Sequence, residues 1–183
     1  MQRALVDLAR RGDEEAFTDL ARAVGDRLMA IAYRILRDVD RAEDAVQQTL
    51  ITAWRELPSL RDDTRFDAWL RRILVHACYA EARRRRTWAA NVRVLPIDGS
   101  DGRDDMAAVL DRDRLERAFR RLSTEQSAIF VLHHYVGLTL AEVADELGVP
   151  LGTVKSRLHY ATRSLRAALD ADARTASSTE RLA

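Results

Sequence analysis

Apolar residues recur at intervals of three and four positions along most of this chain, which is the spacing of one face of an α-helix. One long run consists of Phe17, Leu20, Ala21, Val24, Leu28, Ile31, Ala32 and Ile35. Helix-breaking residues are scarce, with 3 Pro and 7 Gly among 183 residues, and no segment keeps the two-residue alternation of a β-strand. The sequence therefore predicts an all-α fold.

Several classes of protein are excluded before any motif is considered. Apolar residues make up 47% and charged residues 32%, which is the balance of a soluble globular chain. Cys78 is the single cysteine, which excludes a disulfide framework and a cysteine-based zinc site. No apolar run approaches the ~20 residues of a membrane helix, and the N-terminus lacks the apolar core of a signal peptide. We therefore expect a cytoplasmic protein without membrane insertion.

A change of composition divides the chain into two parts. Residues 91–105 hold one of the three prolines, two of the seven glycines and many aspartates, which is typical of a linker. Helical spacing occupies residues 1–90 before it and residues 106–171 after it. The sequence thus predicts two helical domains joined by a flexible linker. Residues 172–183 form a polar tail that we expect to fray.

Capping residues locate the ends of several helices. Side chains suited to accept the first backbone N–H groups precede the predicted helices: Asp13, Asp40 with Glu43, Ser123 with Gln126, and Thr139 with Glu142. Gly148 suits the left-handed end of one helix, and Pro150 suits the first turn of the next.

The net charge of +1 conceals a pattern. Residues 83–93 carry five arginines and no acid, residues 98–105 carry a net charge of −3, and residues 150–166 carry four basic residues and no acid. Two such basic blocks indicate two separate contacts with nucleic acid. From charge alone, solvated helix ends are the simpler interpretation.

Residues 139–169 have the pattern of a helix-turn-helix. Ala144 is small enough for a close helix crossing, and Gly148, four residues on, can take a left-handed turn. The apolar interface is supplied by Val143, Leu147, Val149, Val154 and Leu158. The face suited to base edges in the major groove carries Lys155, Ser156 and His159. Neighbours suited to phosphates are Thr153, Arg157, Tyr160 and Arg163. An ordinary helical hairpin with a basic outer face is the alternative.

The predicted helix over residues 40–57 carries two stripes. One is apolar and belongs to the core. The other recurs at i, i+3, i+4 and i+7 and consists of Asp44, Gln47, Gln48 and Ile51. A polar stripe that includes an isoleucine suits docking against a partner helix, although a solvated face explains the same pattern.

The next predicted helix, over residues 64–86, is aromatic at its start and basic at its end. Aromatic rings beside cations can stack unpaired bases and follow a nucleic-acid backbone, so this helix is a candidate for single-stranded DNA. By their spacing Phe66 and Trp69 belong mainly to the core. The face left free carries Arg72, His76 and Arg83. The loop of residues 58–65 before the helix is placed to gate a pocket.

His133 and His134 raise the question of metal binding or acid–base catalysis. Adjacent residues point about 100° apart on a helix, so this pair cannot chelate one metal as an i, i+4 pair does. The chain also has no zinc-protease motif, phosphate-binding loop or nucleophile elbow. We therefore expect packing or surface roles for both histidines and a core position for Cys78. The sequence predicts no cofactor, no metal and no enzymatic activity.

These segments together resemble those of the extracytoplasmic-function (ECF) sigma factors, minimal bacterial members of the sigma-70 family built from sigma domains 2 and 4. The resemblance covers residues from about 14 to 170. The core-binding segment of region 2 corresponds to DRAEDAVQQTLITAWREL, and its melting and minus-ten segment corresponds to FDAWLRRILVHACYAEARRRR. Nearly all of region 4 corresponds to LSTEQSAIFVLHHYVGLTLAEVADELGVPLGTVKSRLHYATRSLR. Both halves in this order favour a functional interpretation of the polar stripe and of the arginine block.

The resemblance implies a subunit that binds core RNA polymerase and directs promoter-specific transcription initiation. Docking on the clamp helices of the polymerase β′ subunit would use Asp44, Gln47, Gln48 and Ile51. The melted minus-ten element, with a base flipped from the non-template strand, would meet Ser59, Leu60, Arg61, Arg65, Arg72, His76, Arg83 and Arg84. The minus-thirty-five element would meet Thr153, Lys155, Ser156, Arg157, His159, Tyr160 and Arg163. Further implied partners are the polymerase β flap and, for many relatives, an anti-sigma factor, and the free chain is expected to be a monomer.

Two positions depart from the family pattern. The family usually has Asn where this chain has His76, and Asp where it has Ala80; both positions bear on the minus-ten preference. A stand-alone helix-turn-helix regulator, which would dimerise and bind a palindrome by itself, is the main alternative. A hydrolase that uses His133 or His134 with a carboxylate is the second.

Overall fold

Helices make up the regular structure of residues 2–91 and 116–180, the parts of the chain that the computed structural model describes. They are α1 (Gln2–Arg10), α2 (Glu14–Leu36), α3 (Val39–Glu56), α4 (Phe66–Asn91), α5 (Thr124–His134), α6 (Leu140–Leu147) and α7 (Leu151–Glu180). Residues 116–119 are also helical, and short 3₁₀ turns cover Leu57–Ser59 and Asp63–Arg65. The predicted all-α class is confirmed. Within these described ranges no helix combines the length and the hydropathy needed to cross a lipid bilayer.

Most of the predicted helix ends are confirmed by their capping contacts. Asp13 accepts a hydrogen bond from the backbone N–H of Ala16 at 2.9 Å and starts α2. Ser123 and Thr139 each form the reciprocal capping box expected with the residue three positions on. Gly148 ends α6 with a φ of 63°, in the left-handed region that glycine adopts without steric cost.

The predicted start of α3 was wrong by two residues. Asp38, not Asp40, is the cap, and its side chain accepts from the backbone N–H of Arg41 at 3.1 Å. The reason lies in the preceding turn, where Arg37 takes a left-handed φ of 52° and its N–H returns to the carbonyl of Tyr33. This reversal leaves Asp38 extended and the helix begins at once, so Asp40 lies within its first turn.

The first lobe, residues 2–91, packs α1 to α4 around one core. Its fully buried side chains are mainly aliphatic and include Leu20, Leu28, Ile31, Leu70 and Leu74. Cys78 lies among them as predicted, and burial raises the pKa of its thiol to about 12. A thiol with such a pKa stays protonated at neutral pH and acts as a small apolar side chain.

The second lobe, residues 116–180, packs directly on the first. Ile129 and Leu132 of α5 and Val143 of α6 are fully buried in the same continuous core as the first-lobe residues. Helix α2 lies against α5, and α4 lies against both α5 and α6. Two helical lobes are present, and the sequence did not indicate this contact between them. The predicted linker lies outside the described residues except for Asn91, which ends α4.

Helix α7 is longer than the sequence suggested. The polar tail was expected to fray from residue 172, whereas the helix continues to Glu180. The segment DARTASSTE contains alanine and arginine and lacks proline and glycine, so nothing in it stops a helix that is already nucleated.

Candidate nucleic-acid interface

The turn between α6 and α7 has the geometry of a helix-turn-helix. The N–H of Val149 returns to the carbonyl of Ala144 at 3.1 Å, which closes the turn around the left-handed Gly148. Val143 and Val154, one from each helix, are fully buried and hold the crossing together. The predicted arrangement of a small residue, a glycine and an apolar interface is therefore present.

The outer face of α7 presents the predicted base-reading residues to solvent. Lys155, Ser156 and His159 are all exposed and lie within about one turn of the helix. The Ser156 hydroxyl donates to the carbonyl of Thr153 at 3.0 Å, which leaves its oxygen lone pairs for a donor on the DNA. Of the predicted phosphate contacts, Tyr160 and Arg163 are exposed, while Thr153 and Arg157 are half-buried.

A second basic face runs along α4. Its exposed members are Arg72, His76, Arg83, Arg84 and Arg85. Partial burial lowers the pKa of His76, and the neighbouring cations Arg72 and Arg83 lower it further. The neutral form of the imidazole is therefore favoured, and it provides a hydrogen-bonding ring beside two cations.

A groove of about 560 Å³ between α3 and α4 lies beside this face. Its lining includes Gln48 and Thr52 of α3 and Trp69, His76 and Ala80 of α4. Trp69 is half-buried and stacks at a tilt on the buried Phe66, with 5.8 Å between ring centroids. Since Trp69 is only half-buried, part of its ring borders the groove, where an unpaired base can contact it.

The loop of residues 57–65 joins α3 to this basic helix. Ser59, Arg61 and Arg65 are exposed as a DNA-contacting loop requires. Leu60 differs from the prediction because its side chain is 9% exposed and belongs to the core. The Leu60 side chain anchors the loop to the core, so it does not face outward with the side chains of its neighbours.

The polar stripe on α3 is exposed along its whole length. Asp44, Gln47 and Gln48 face solvent, and Ile51 keeps 40% of its surface exposed, which is unusual for an isoleucine. The opposite face of the helix buries Ala42, Ala45, Thr49 and Ala53. The stripe is therefore separate from the core.

Contacts between the lobes engage Arg65 and Arg72 of the predicted minus-ten set, and also Arg71, which lies beside them on α4. Arg65 donates to Asp145 at 2.8 Å in an exposed pair, and the guanidinium of Arg71 forms two bonds with Glu146 in a buried pair. The Arg72 side chain lies against the turn, where a methyl group added at Gly148 would meet its Nη2 at 3.7 Å. The first helix of the helix-turn-helix thus covers part of the basic face of α4.

Sequence reasoning missed these partners because they are far apart in the chain. Arg71 and Glu146 are separated by 75 positions, and no local pattern links them. It also missed α1, although Leu5, Val6 and Ala9 have helical spacing. Arg10 at the end of α1 contacts the loop of residues 57–65.

The adjacent histidines His133 and His134 contact the backbone of a turn and an aromatic ring, respectively. His133 Nδ1 lies 2.7 Å from the carbonyl of Leu138 and closes the turn after α5, and His134 packs on Phe130 with 4.4 Å between ring centroids. These contacts agree with the packing roles predicted for both. Among the described residues, no three His, Cys, Asp or Glu side chains cluster in a way that would hold a metal ion.

Both lobes of the chain are similar in sequence to known proteins. The family model described as Sigma-70 region 2 matches residues 20–88, and that described as Sigma-70, region 4 matches residues 112–165. The chain is 35% identical over 165 residues to the ECF RNA polymerase sigma factor SigL of Mycobacterium tuberculosis, covering 86% of this chain and 93% of the relative. It is 31% identical over 173 residues to the RNA polymerase sigma-E factor of Streptomyces coelicolor, covering 93% and 97%.

Solved structures give the same picture. The sigma factor RpoE in complex with the anti-sigma factor NepR, from Bartonella quintana, superposes with a TM-score of 0.69 at 28% identity, over 84% of this chain and 96% of that one. CnrH in complex with the cytosolic domain of CnrY superposes with a TM-score of 0.65 at 28% identity, over 93% and 98%.

Proposed function

The chain belongs to the ECF sigma factors of the sigma-70 family, and on this premise we propose how its surfaces direct core RNA polymerase to promoters. The observation that carries the proposal is a pair of basic helix faces, one on α7 and one on α4, in a single chain. One DNA-reading face would suit many regulators. Here one face belongs to a helix-turn-helix and the other lies beside a groove that Trp69 borders. This combination suits a factor that reads one duplex element and one melted element.

The outer face of α7 reads the minus-thirty-five element as duplex DNA. Lys155 and His159 are placed to contact base edges in the major groove, since both project from the exposed side of the second helix of the motif. Tyr160 and Arg163 flank them and contact phosphates, which position the helix without reading sequence.

The basic face of α4 and the loop of residues 57–65 receive the melted minus-ten element. Holding an unstacked base costs a few kcal/mol, and contacts with the loop and with the groove between α3 and α4 offset that cost. Sites where melting starts easily are therefore selected together with those whose bases fit.

The exposed stripe on α3 docks on the polymerase. Asp44, Gln47 and Ile51 lie outside the lining of the groove between α3 and α4, which Gln48 borders, so polymerase and promoter can be bound side by side. A cognate anti-sigma factor is a further partner, in line with the solved relatives that are bound to one.

The two lobes separate when both promoter elements are bound. About 25 base pairs between the elements span roughly 85 Å of duplex. A compact chain of 183 residues has a radius of gyration of only about 16 Å. The arrangement with α4 against α5 and α6 is therefore the closed form of the free factor, and promoter binding requires the open one.

The function is tested by run-off transcription on genomic fragments, with purified core polymerase and with or without the chain. Discrete new transcripts that need the chain are expected. A shifted DNA fragment without polymerase, together with a dimer in sedimentation, would instead identify a stand-alone helix-turn-helix regulator.

A variant of the docking stripe separates polymerase binding from DNA binding. Gln47→Arg places a long cation in the centre of the stripe and should weaken polymerase binding at least about tenfold, as at the centre of other interfaces. Glu43→Arg is the control, because Glu43 is exposed about one turn before Gln47 on the same helix but is not a member of the stripe. Equal affinities for the two variants would show that the stripe is not the docking face.

A further inference from the structure

The loop of residues 57–65 is held from outside by α1, a helix that lies outside both family-matched segments. Arg10 is its last residue. Arg10 Nη1 donates to the backbone carbonyl of Leu60 at 3.3 Å and to Asp63 Oδ1 at 3.1 Å, while Nη2 donates to Asp7 Oδ1 at 3.0 Å. One guanidinium therefore joins α1 to the loop at two points.

Internal contacts set the local shape of the loop but not its direction. Asp62 accepts from both the N–H and the hydroxyl of Thr64, which forms a small turn, and Ser59 donates to the carbonyl of Glu56. The buried side chains of Leu57 and Leu60 hold residues 57–60 of the loop against the core of the first lobe. The part of the loop between Leu60 and the start of α4 is tied to another helix of the first lobe, α1. The described bonds that make this connection are those of Arg10.

The chemistry of Arg10 suits this task. Its planar guanidinium holds several acceptors in fixed relative positions, which the single ammonium of a lysine cannot do. The side chains of Arg10 and Asp63 are 31% and 27% exposed, so solvent only partly weakens the pair. Asp7 holds the other side of the guanidinium and keeps it from rotating away from the loop.

We infer that Arg10 is a positioning residue for minus-ten recognition. It fixes the direction in which the exposed loop residues Ser59 and Arg61 meet the DNA, and it thereby sets how strongly the factor discriminates at the base that the loop contacts. This inference rests on the proposed role of the loop in promoter recognition. It assigns to α1 a part in specificity, without contact between α1 and DNA.

The test compares Arg10→Met with Arg11→Met in the full chain bound to core polymerase. Arg11 is a matched control, because it also donates to Asp7, at 2.7 Å, but is 72% exposed and is not among the residues that contact the loop. Competitive run-off transcription is measured on promoters substituted singly at each minus-ten and minus-thirty-five position. Polymerase affinity and melting temperature are measured alongside.

Arg10→Met should lower discrimination at one or two adjacent minus-ten positions by about fivefold or more, the size expected when a charge-assisted hydrogen bond is lost. Discrimination at minus-thirty-five positions and polymerase affinity should match those of the Arg11→Met control. Unchanged minus-ten ratios, or an equal loss at every position of both elements, would overturn the inference. Absence of any transcript with the unaltered chain would instead overturn the proposed function itself.

Asp63→Asn gives a second, independent reading if Arg10→Met does not fold. It keeps the size of the side chain and removes the charge that Arg10 binds, so it should shift the ratio at the same minus-ten positions. When both single variants fold, the two effects should be less than additive in the double variant, because both remove one interaction. Additive effects, or shifts at different positions, would show that the two residues do not act together.

Discussion

Lys155 and His159 are exposed on α7, and the proposed function assigns them to base edges of the minus-thirty-five element. Each single change to alanine should lower discrimination by about 1–3 kcal/mol at an individual minus-thirty-five position. Arg163→Ala, which removes an exposed cation beside them, should weaken binding to all sequences alike and reduce its salt dependence. Binding titrations on a panel of single-base variants measure both. A uniform loss for Lys155→Ala would assign that residue to the phosphates.

A second prediction for a single residue concerns the pH at which the His76 imidazole is protonated. Folding lowers the pKa of its imidazole, mainly through burial and then through Arg72 and Arg83. The folded chain therefore binds this proton less tightly than the unfolded chain, and protonation opposes folding only as the pH falls below the ordinary value of about 6.5. NMR titration of the ring should give a midpoint below that value.

The variant His76→Asn introduces the residue that the resemblance to the family implies at this position. Because the pKa of His76 is lowered from its ordinary value, the imidazole is mainly neutral from about pH 7.5 upward, and there the variant and the unaltered chain should show parallel pH profiles of transcription. They should differ in which minus-ten bases they prefer. Profiles that diverge in this range would mean that His76 acts as a cation.

Single positions on helices were predictable from the sequence, whereas the buried position Leu60 within the loop was not. Helical periodicity converts spacing into a face, so the exposure of Lys155 and of Gln47 follows from their neighbours along the chain. The burial of Leu60 depends on how the loop packs on the core, and a short loop has no period that indicates it. Leu60 was therefore grouped with its exposed neighbours Ser59 and Arg61.

At the scale of elements, the turn of the helix-turn-helix depends on one backbone conformation. Gly148→Ala should destabilise the chain by about 1–2 kcal/mol, because alanine disfavours a positive φ. Steric conflict adds little, since the new methyl group would meet Arg72 Nη2 at an ordinary 3.7 Å. Chemical denaturation measures the effect.

Gly152→Ala is the control for that substitution. Gly152 lies in the first turn of α7, and a methyl group there would have no neighbour within 4 Å among the described residues. Alanine at this helical position should leave stability unchanged or raise it by up to about 1 kcal/mol. A comparable loss at both positions would mean that the cost does not come from the left-handed turn.

Helix ends were predictable where one side chain and its own backbone decide them. Ser123 with Gln126 and Thr139 with Glu142 are complete local motifs, and both form. The start of α3 was misplaced because it depends on the left-handed Arg37, a conformation that an arginine rarely adopts and that the sequence does not signal.

At the scale of the whole molecule, the packing of the two lobes was beyond the reach of the sequence. Apolar faces on α5 and α6 were assigned to the second lobe alone, and periodicity cannot say which other helix a face will meet. Cation–aromatic contacts add to this interface, such as Arg34 over the ring of Tyr135 at 3.8 Å. The two interlobe ion pairs differ in burial, and that difference allows a test of the closed form.

Glu146→Gln removes one partner of the buried Arg71–Glu146 pair, whose side chains are 13% and 8% exposed. Solvent screens this pair less than an exposed one, so loss of the Glu146 charge should weaken the contact between the lobes and favour their separation. Small-angle scattering of the free chain should show a larger radius of gyration. Binding to single-stranded minus-ten DNA without polymerase should become tighter, because the basic face of α4 is uncovered.

Asp145→Asn is the matched control for this opening. It removes one partner of the Arg65–Asp145 pair, whose side chains are 63% and 71% exposed, and exposed pairs contribute only about 0–1 kcal/mol. Its radius of gyration and DNA affinity should stay close to those of the unaltered chain. If Glu146→Gln opened the lobes without tightening DNA binding, α6 would cover α4 without blocking it, and the closed form would carry no restraint on promoter recognition. If neither variant changed the radius, the apolar contacts of α5 with α2 would by themselves hold the lobes together.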